Sequence, residues 1–111
     1  MAEKPLVWLG SSLEDLRHFP ADARRAAGHQ LHRLQWGLEP EHWKPMPTVG
    51  TGVREIRIQT GRAFRILYLT KFAEAIYVLH TFEKRTQRTS QVDLDLAQKR
   101  LRDLLRLRGE P

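Results

Sequence analysis

The segment from Arg62 to Thr70 carries apolar side chains on both of its faces, and this feature constrains the fold more than any other. In an extended strand, successive side chains point to opposite sides. One side of this segment presents an alanine, an arginine and two leucines, and the other presents phenylalanine, isoleucine, tyrosine and threonine. Both sides therefore need to be covered, so we predict the central strand of a sheet.

The rest of the chain predicts helices and further strands around this segment. Apolar runs and period-two alternation indicate strands, and capping residues followed by three- and four-residue apolar spacing indicate helices. The order β-α-α-β-β-β-α favours an α+β fold in which helices pack a small antiparallel sheet, in one domain over residues 1–111. The other elements are strands at 6–9, 53–59 and 75–82, a helix from a capping box at 11–14 to about 19, helices at 21–36 and after Ser90, and a loop at 38–52.

Positive charge is concentrated in the second part of the chain. There are 19 Lys and Arg against 13 Asp and Glu, a net charge of +6. Residues 1–47 hold six side chains of each sign, so the whole excess lies in 48–111. This asymmetry predicts a basic face for a polyanion: nucleic acid, an acidic protein or a membrane surface. The membrane is the weakest of these, because no helix combines a strong apolar face with a purely basic one.

The composition also excludes several classes of protein and of site. The chain has no cysteine, which rules out a disulfide framework, Cys-ligated zinc and a thiol nucleophile, and a reducing cytoplasm is the expected compartment. No apolar run approaches the roughly 18 residues of a membrane span. His29 and His32 lie one helical turn apart, but zinc needs further ligands, so no metal site is expected.

Two arginines of the predicted sheet are candidates for a phosphate clamp. Arg65 lies mid-strand among leucines, where a charge is costly unless it is paired or functional. Arg57 shares a strand face with Glu55. Guanidinium groups can bind the charge that develops on a phosphate during RNA cleavage by the 2′-hydroxyl. The alternative is structural, an ion pair between Glu55 and either arginine.

A segment of mixed aromatic and basic residues begins at His80 and continues to Arg88. Phe82 could stack on a base while Lys84, Arg85 and Arg88 bind phosphates, or Phe82 could be a core residue before a solvated charged turn. His80 is either a packing residue or a proton-transfer group. Tyr68, outside this segment, is either a core residue or a group that stacks on a base or donates a proton.

Three segments resemble the RelE/HigB-like toxin superfamily, most closely its phage-derived branch. They are Val53–Arg57, Phe64–Tyr68 and Leu79–Gln87, and the last is similar to the branch's pattern hydrophobic-His-x-Phe-x-Lys-Lys-Thr-Gln before the final helix. Ala97 and Arg100 also suit the family pattern. The departures are Arg85 where lysine is common, Ser90 where proline is common, and Arg54 where an aromatic residue is common.

The resemblance implies the toxin of a type II toxin–antitoxin pair, an endoribonuclease that cuts mRNA, often on a translating ribosome, with no metal or other cofactor. It implies three partners: mRNA, the ribosome and a separate antitoxin, expected to be a helix-turn-helix protein. The rival interpretation is a nucleic-acid- or protein-binding module that keeps this fold without cleaving, because no general base is obvious. The candidate catalytic residues are Arg57, Arg65, His80, Lys84 and Arg85, of which the resemblance favours the three arginines and Lys84. The candidate RNA-binding residues are Arg54, Tyr68, Phe82 and Arg88.

Overall fold

The computed structural model describes residues 3–110, so residues 1, 2 and 111 of the predicted domain lie outside the described part. Within it, three helices and five strands follow one another, and all of them except the strand at 43–45 lie close to where the sequence predicts them. The elements are β1 (Leu6–Trp8), α1 (Ser12–Arg17), α2 (Ala21–Gln35), β2 (Trp43–Pro45), β3 (Arg54–Gln59), β4 (Ala63–Leu69), β5 (Ile76–Glu83) and α3 (Gln91–Leu107).

The five strands form one mixed sheet in the order β1-β5-β4-β3-β2. The strands β2 to β5 pair with one another in antiparallel fashion, and β1 pairs with β5 in parallel. The α+β class is confirmed, but the sheet is not wholly antiparallel as predicted. The reason is that two helices, rather than a hairpin, follow β1 and carry the chain to the opposite edge of the sheet.

The strand β2 lies within the segment that the sequence predicts as a loop. Its three residues pair with β3, with Pro45 opposite Arg54 and Trp43 opposite Ile56. Proline lacks a backbone N–H, so it is tolerated here because β2 is an edge strand. A strand of three residues that includes a proline is too short to show period-two alternation in the sequence. The loop prediction is therefore wrong at residues 43–45.

Helices cover both faces of the sheet, which confirms β4 as a central strand. On one face Phe64, Ile66 and Tyr68 pack with residues of α1 and α2. On the other face Leu67 and Leu69 pack with residues of α3. None of the helices described is long and apolar enough to cross a membrane.

One of the two predicted helix caps forms. Ser90 caps α3 by accepting a hydrogen bond from the backbone N–H of Asp93 at 3.2 Å. The capping box predicted for α1 is wrong, because Ser11 makes no side-chain bond to the helix backbone. Its hydroxyl instead donates to the Asp15 carboxylate at 2.7 Å and accepts from Arg100 at 2.9 Å.

Candidate active site

Residues from three neighbouring strands form one row on the face of the sheet that α3 covers. Arg57 of β3 is paired with Arg65 of β4, and Arg65 is paired with Phe82 of β5. Cross-strand partners point to the same side of a sheet, so these side chains are neighbours. The next row on the same face holds Glu55 and His80, with Leu67 between them.

Glu55 is the most unusual residue of this face. Its side chain is only 1% exposed, and neither carboxylate oxygen accepts a hydrogen bond from any residue in 3–110. Oε1 lies 3.6 Å from Nε of Arg65, 3.9 Å from Nζ of Lys44 and 4.0 Å from Nε of Arg57. A buried carboxylate without hydrogen bonds is costly, and here three positive charges around it offset that cost.

The two arginines differ in exposure. Arg65 is 6% exposed, and its Nη1 donates a hydrogen bond to the carbonyl of Phe64 at 2.9 Å. Its Nε donates to no group within residues 3–110. Burial, and then the charge of Arg57, lower the pKa of Arg65, with Glu55 acting in the opposite direction. Arg57 is about half exposed. Together with His42 they line an open groove of about 340 Å³.

Two lysines complete the cluster of positive charge. Lys84 follows β5 directly, and its backbone N–H donates to the carbonyl of Ala63 at 2.8 Å. Burial lowers the pKa of Lys84, and the nearby charges of Arg65, Lys44 and Arg57 lower it further. We call Lys44, Arg57, Arg65 and Lys84, with Glu55 among them, the cation site. Sequence reasoning missed Lys44, because it lies on the strand that was predicted as a loop.

His80 lies beside this cluster, but its ring is occupied by protein contacts. Nε2 is 2.6 Å from a carboxylate oxygen of Asp93, and Nδ1 is 3.5 Å from an Nη of Arg100. A carboxylate only accepts, so Nε2 carries the proton and Nδ1 is the acceptor. Burial lowers the pKa of His80 against the opposing effect of Asp93. The histidine thus links α3 to the sheet.

Phe82 is a largely buried residue stacked on His80. The two ring centroids lie 4.8 Å apart with an angle of 19° between the planes. The exposed part of Phe82 lines a small cavity of about 170 Å³ together with Lys84, Ser90 and Asp93. The phenylalanine is therefore both a core residue and a wall of the cavity next to the cation site.

Tyr68 and Arg54 lie on the opposite face of the sheet. Tyr68 is fully buried between the sheet and α2, and burial raises its pKa to about 12. Its cross-strand partner Arg54 pairs with Glu39 at 3.1 Å and stacks over Trp43. Strand alternation therefore places both on the face opposite Arg65, and Tyr68 is a core residue, as its alternative interpretation predicts.

Arg85 and Arg88 lie outside the cation site. Arg85 is exposed, pairs with Glu83 at 3.1 Å and lines the small cavity beside Lys84. Arg88 is exposed in the segment before α3, where its carbonyl accepts a hydrogen bond from Thr86. The structure therefore brings together Arg57, Arg65 and Lys84, with Phe82 and His80 beside them. It places Arg54 and Tyr68 on the opposite face and Arg88 in the segment before α3.

The cation site can bind an anion but has no arrangement that suits a metal ion. Three positive side chains lie within 4.0 Å of one carboxylate, and two of them line an open groove. Among residues 3–110, no group of three or more His, Asp or Glu side chains is placed to hold a metal. A phosphodiester in the groove would meet guanidinium donors that Glu55 holds by charge alone, without taking their N–H groups.

Residues 14–102 of the chain match the model of one protein family, described as phage derived protein Gp49-like (DUF891). The matched segment begins in α1 and ends in α3, so it contains every residue of the cation site. No curated protein matches the sequence.

Proposed function

The chain belongs to the Gp49-like family of phage-derived proteins, which is associated with the toxins of toxin–antitoxin systems, and we propose that it is the toxin of a type II pair. The proposed activity is metal-independent endonucleolytic cleavage of mRNA on translating ribosomes. The cation site carries this proposal, because it gathers four positive charges on one face of the sheet beside an open groove.

The proposed reaction is attack by an RNA 2′-hydroxyl on the adjacent phosphorus. The 2′-hydroxyl loses its proton to solvent water and the new P–O2′ bond forms as the P–O5′ bond breaks. The leaving 5′-oxygen takes up a proton, so the products are a 2′,3′-cyclic phosphate and a 5′-hydroxyl. The transition state gains negative charge on its phosphoryl oxygens, and Arg57 and Arg65 are placed to stabilise that charge. Removing one such donor typically costs about a hundredfold or more in rate.

Lys84 is the proposed proton donor to the leaving 5′-oxygen. A group transfers protons best when its pKa lies near the working pH, and the environment of Lys84 lowers its pKa from the ordinary lysine value. His80 is not assigned this role, because both of its ring nitrogens have protein partners. Its proposed task is to hold Phe82 and α3 in position beside the site.

The proposed partner is an antitoxin with an acidic segment that covers the cation site. Carboxylates of such a segment would compete with RNA phosphates for the same guanidinium groups, and opposite charges would also speed association. The antitoxin gene is expected beside the gene for this chain. Co-expression followed by purification through a tag on one partner should recover a complex, and failure to recover one counts against the toxin assignment.

A binding module without nuclease activity is the second candidate. The observation in its favour is the engagement of His80, which lies beside the cation site, as a structural link. Such a module would bind RNA through the same cations without breaking a phosphodiester bond.

Expression of the chain alone separates the two candidates. The proposed nuclease should arrest growth and produce mRNA fragments with 5′-hydroxyl ends that appear within coding regions, in the presence of a chelator as well as without it. A translation inhibitor that empties ribosomes of mRNA should protect the transcripts. Growth arrest without fragments would favour the binding module, and neither arrest nor RNA binding would contradict both.

A further inference from the structure

Two guanidinium groups converge on one carboxylate at the end of the sheet next to the cation site. Glu83, the last residue of β5, accepts from Arg62 at 2.6 and 2.7 Å. Arg85 donates twice to the same carboxylate, at 3.1 and 3.2 Å. We call these three residues the Glu83 cluster. It has two positive charges and one negative, so it attracts anions even with its carboxylate in place.

Strand alternation puts the Glu83 cluster back to back with the cation site. Phe82 and Lys84 flank Glu83 in the chain and point to the α3 face, so Glu83 points to the face that α1 and α2 cover. The strand register supports this assignment of faces. Glu83 is opposite Phe64, which packs on the side of α1 and α2, and Phe82 is opposite Arg65 of the cation site. The two groups of cations therefore lie on either side of the same end of the sheet.

An open groove leads from the Glu83 cluster toward Phe82. It has a volume of about 290 Å³, and its lining includes Arg62, Phe64, Phe82, Glu83 and Arg85. Phe82 also lines the cavity beside Lys84, so the two depressions share this side chain as a wall. A single nucleic-acid strand that crosses the end of the sheet would pass from one set of cations to the other.

The chemistry of the Glu83 cluster matches that of a phosphate site. Arginine presents a planar fork of N–H donors that fits carboxylate and phosphate oxygens in the same bidentate manner. The side chains of Arg62 and Arg85 are 56% and 78% exposed, against 18% for Glu83. The donors can therefore reach a ligand in solvent while the carboxylate stays on the strand.

We propose that Arg62 and Arg85 form a second phosphate subsite for the RNA strand, which Glu83 occupies until the substrate displaces it. This inference rests on the proposed function, because the strand it describes is the one that enters the cation site. It gives Arg85 a different role from the one the resemblance implies, since the arginine binds a flanking phosphate rather than the scissile one.

The test measures binding of a fully 2′-O-methylated RNA 12-mer, which lacks the attacking hydroxyl, to the purified full chain at several salt concentrations. Arg62→Gln should weaken binding about three- to tenfold and reduce the salt slope by about one, as expected for one lost phosphate contact. Glu83→Gln should tighten binding by a similar factor, because the competing carboxylate is gone. Arg25→Gln and Glu14→Gln make the same charge changes at exposed helical positions and should alter binding less than twofold.

The outcomes distinguish the subsite from the proposed function. If Arg62→Gln and Glu83→Gln bind like their controls while Arg65→Gln binds weakly, the subsite is wrong and the proposed function stands. If Glu83→Gln lowers the melting temperature and also weakens binding, Glu83 is a structural brace and the subsite is again wrong. A wild-type chain that does not bind the RNA overturns both proposals.

Discussion

At the scale of single residues, the cation site is built around a buried negative charge. Removing a carboxylate from water costs several kcal/mol, and a nearby positive charge recovers this only when the geometry is favourable. Glu55 lies 3.6 Å from Arg65 and at most 4.0 Å from Lys44 and Arg57, and all three lose their shared counter-charge if it is neutralised. The carboxylate is thus a positioning group for the cations around it.

Glu55→Gln should destabilise the fold markedly, although the two side chains have nearly the same shape. Breaking a buried ion pair by removing one partner costs about 3 kcal/mol or more. In a domain of this size that corresponds to a fall in melting temperature of roughly 10 °C or more. Thermal unfolding measures the shift, with the exposed Glu14→Gln as a control expected to change little. An unaltered melting temperature in Glu55→Gln would show that the carboxylate does not hold the cluster together.

At the scale of elements, α3 is fastened to the sheet by the contact between Asp93 and His80. Burial lowers the pKa of His80 below its usual 6.5, so the unfolded chain binds a proton more readily than the folded one. Stability should therefore decrease as the pH falls below about 6.5, toward the lower pKa of the folded state. Urea unfolding between pH 7.5 and 5.5 should show this loss. The His80→Gln variant should lack the share of this loss that is due to protonation of His80. If the stability of both proteins depends equally on pH, a group other than His80 is responsible.

Two glycines show that the effect of a Gly→Ala substitution on stability depends on the element in which the glycine lies. Gly28 lies within α2, and Gly61 lies in the turn between β3 and β4 with a φ of +85°. In neither case would a Cβ meet an atom within 4 Å among the residues described, so backbone conformation alone distinguishes them. Gly28→Ala should stabilise the protein by about 1 kcal/mol, and Gly61→Ala should destabilise it by about 1 kcal/mol. Chemical denaturation of the two variants checks this, and the same sign for both would contradict it.

At the scale of the whole molecule, charge asymmetry and fold act together. Part of the positive charge of residues 48–111, that of Arg57, Arg65 and Lys84, is brought by β3, β4 and the end of β5 to one end of the sheet. Contacts from Arg57, Arg65 and Lys84 to RNA phosphates should give a plot of log K against log salt with a slope of about −2 or steeper. Binding that is unchanged between low and high salt would show that RNA does not contact the cation site.

The sequence allowed most elements of the molecule to be predicted but not how they meet. Local periodicity located β3, β4, β5 and the long helices, because apolar spacing is a local property of the chain. It could not locate β2, whose pairing depends on β3, or the parallel contact of β1 with β5. For the same reason Lys44 was missed. On the sequence alone, Glu55 is considered only as an ion-pair partner. Its position on the same strand face as Arg57 already indicates that it belongs to the cluster of charged side chains.

Alternation along the strands also shows which of the predicted site residues share a face of the sheet. Arg65 and Tyr68 are three positions apart in one strand, so they had to point to opposite faces. Only a long-range contact could show that His80 bonds Asp93 of α3, thirteen residues later, and so is not free for proton transfer.

The measurement that tests the central claim most directly compares Arg65→Ala with the wild-type chain in both RNA cleavage and melting temperature. The cation site predicts that the variant still folds but loses at least about a hundredfold in cleavage rate, and with it its toxicity. Lys84→Ala should lose less, since it lies at a strand end. If Arg65 only balances Glu55, the variant will instead melt at a lower temperature and keep its activity while folded. An Arg65→Ala variant as toxic as the wild type would remove Arg65 from the active site and contradict the account.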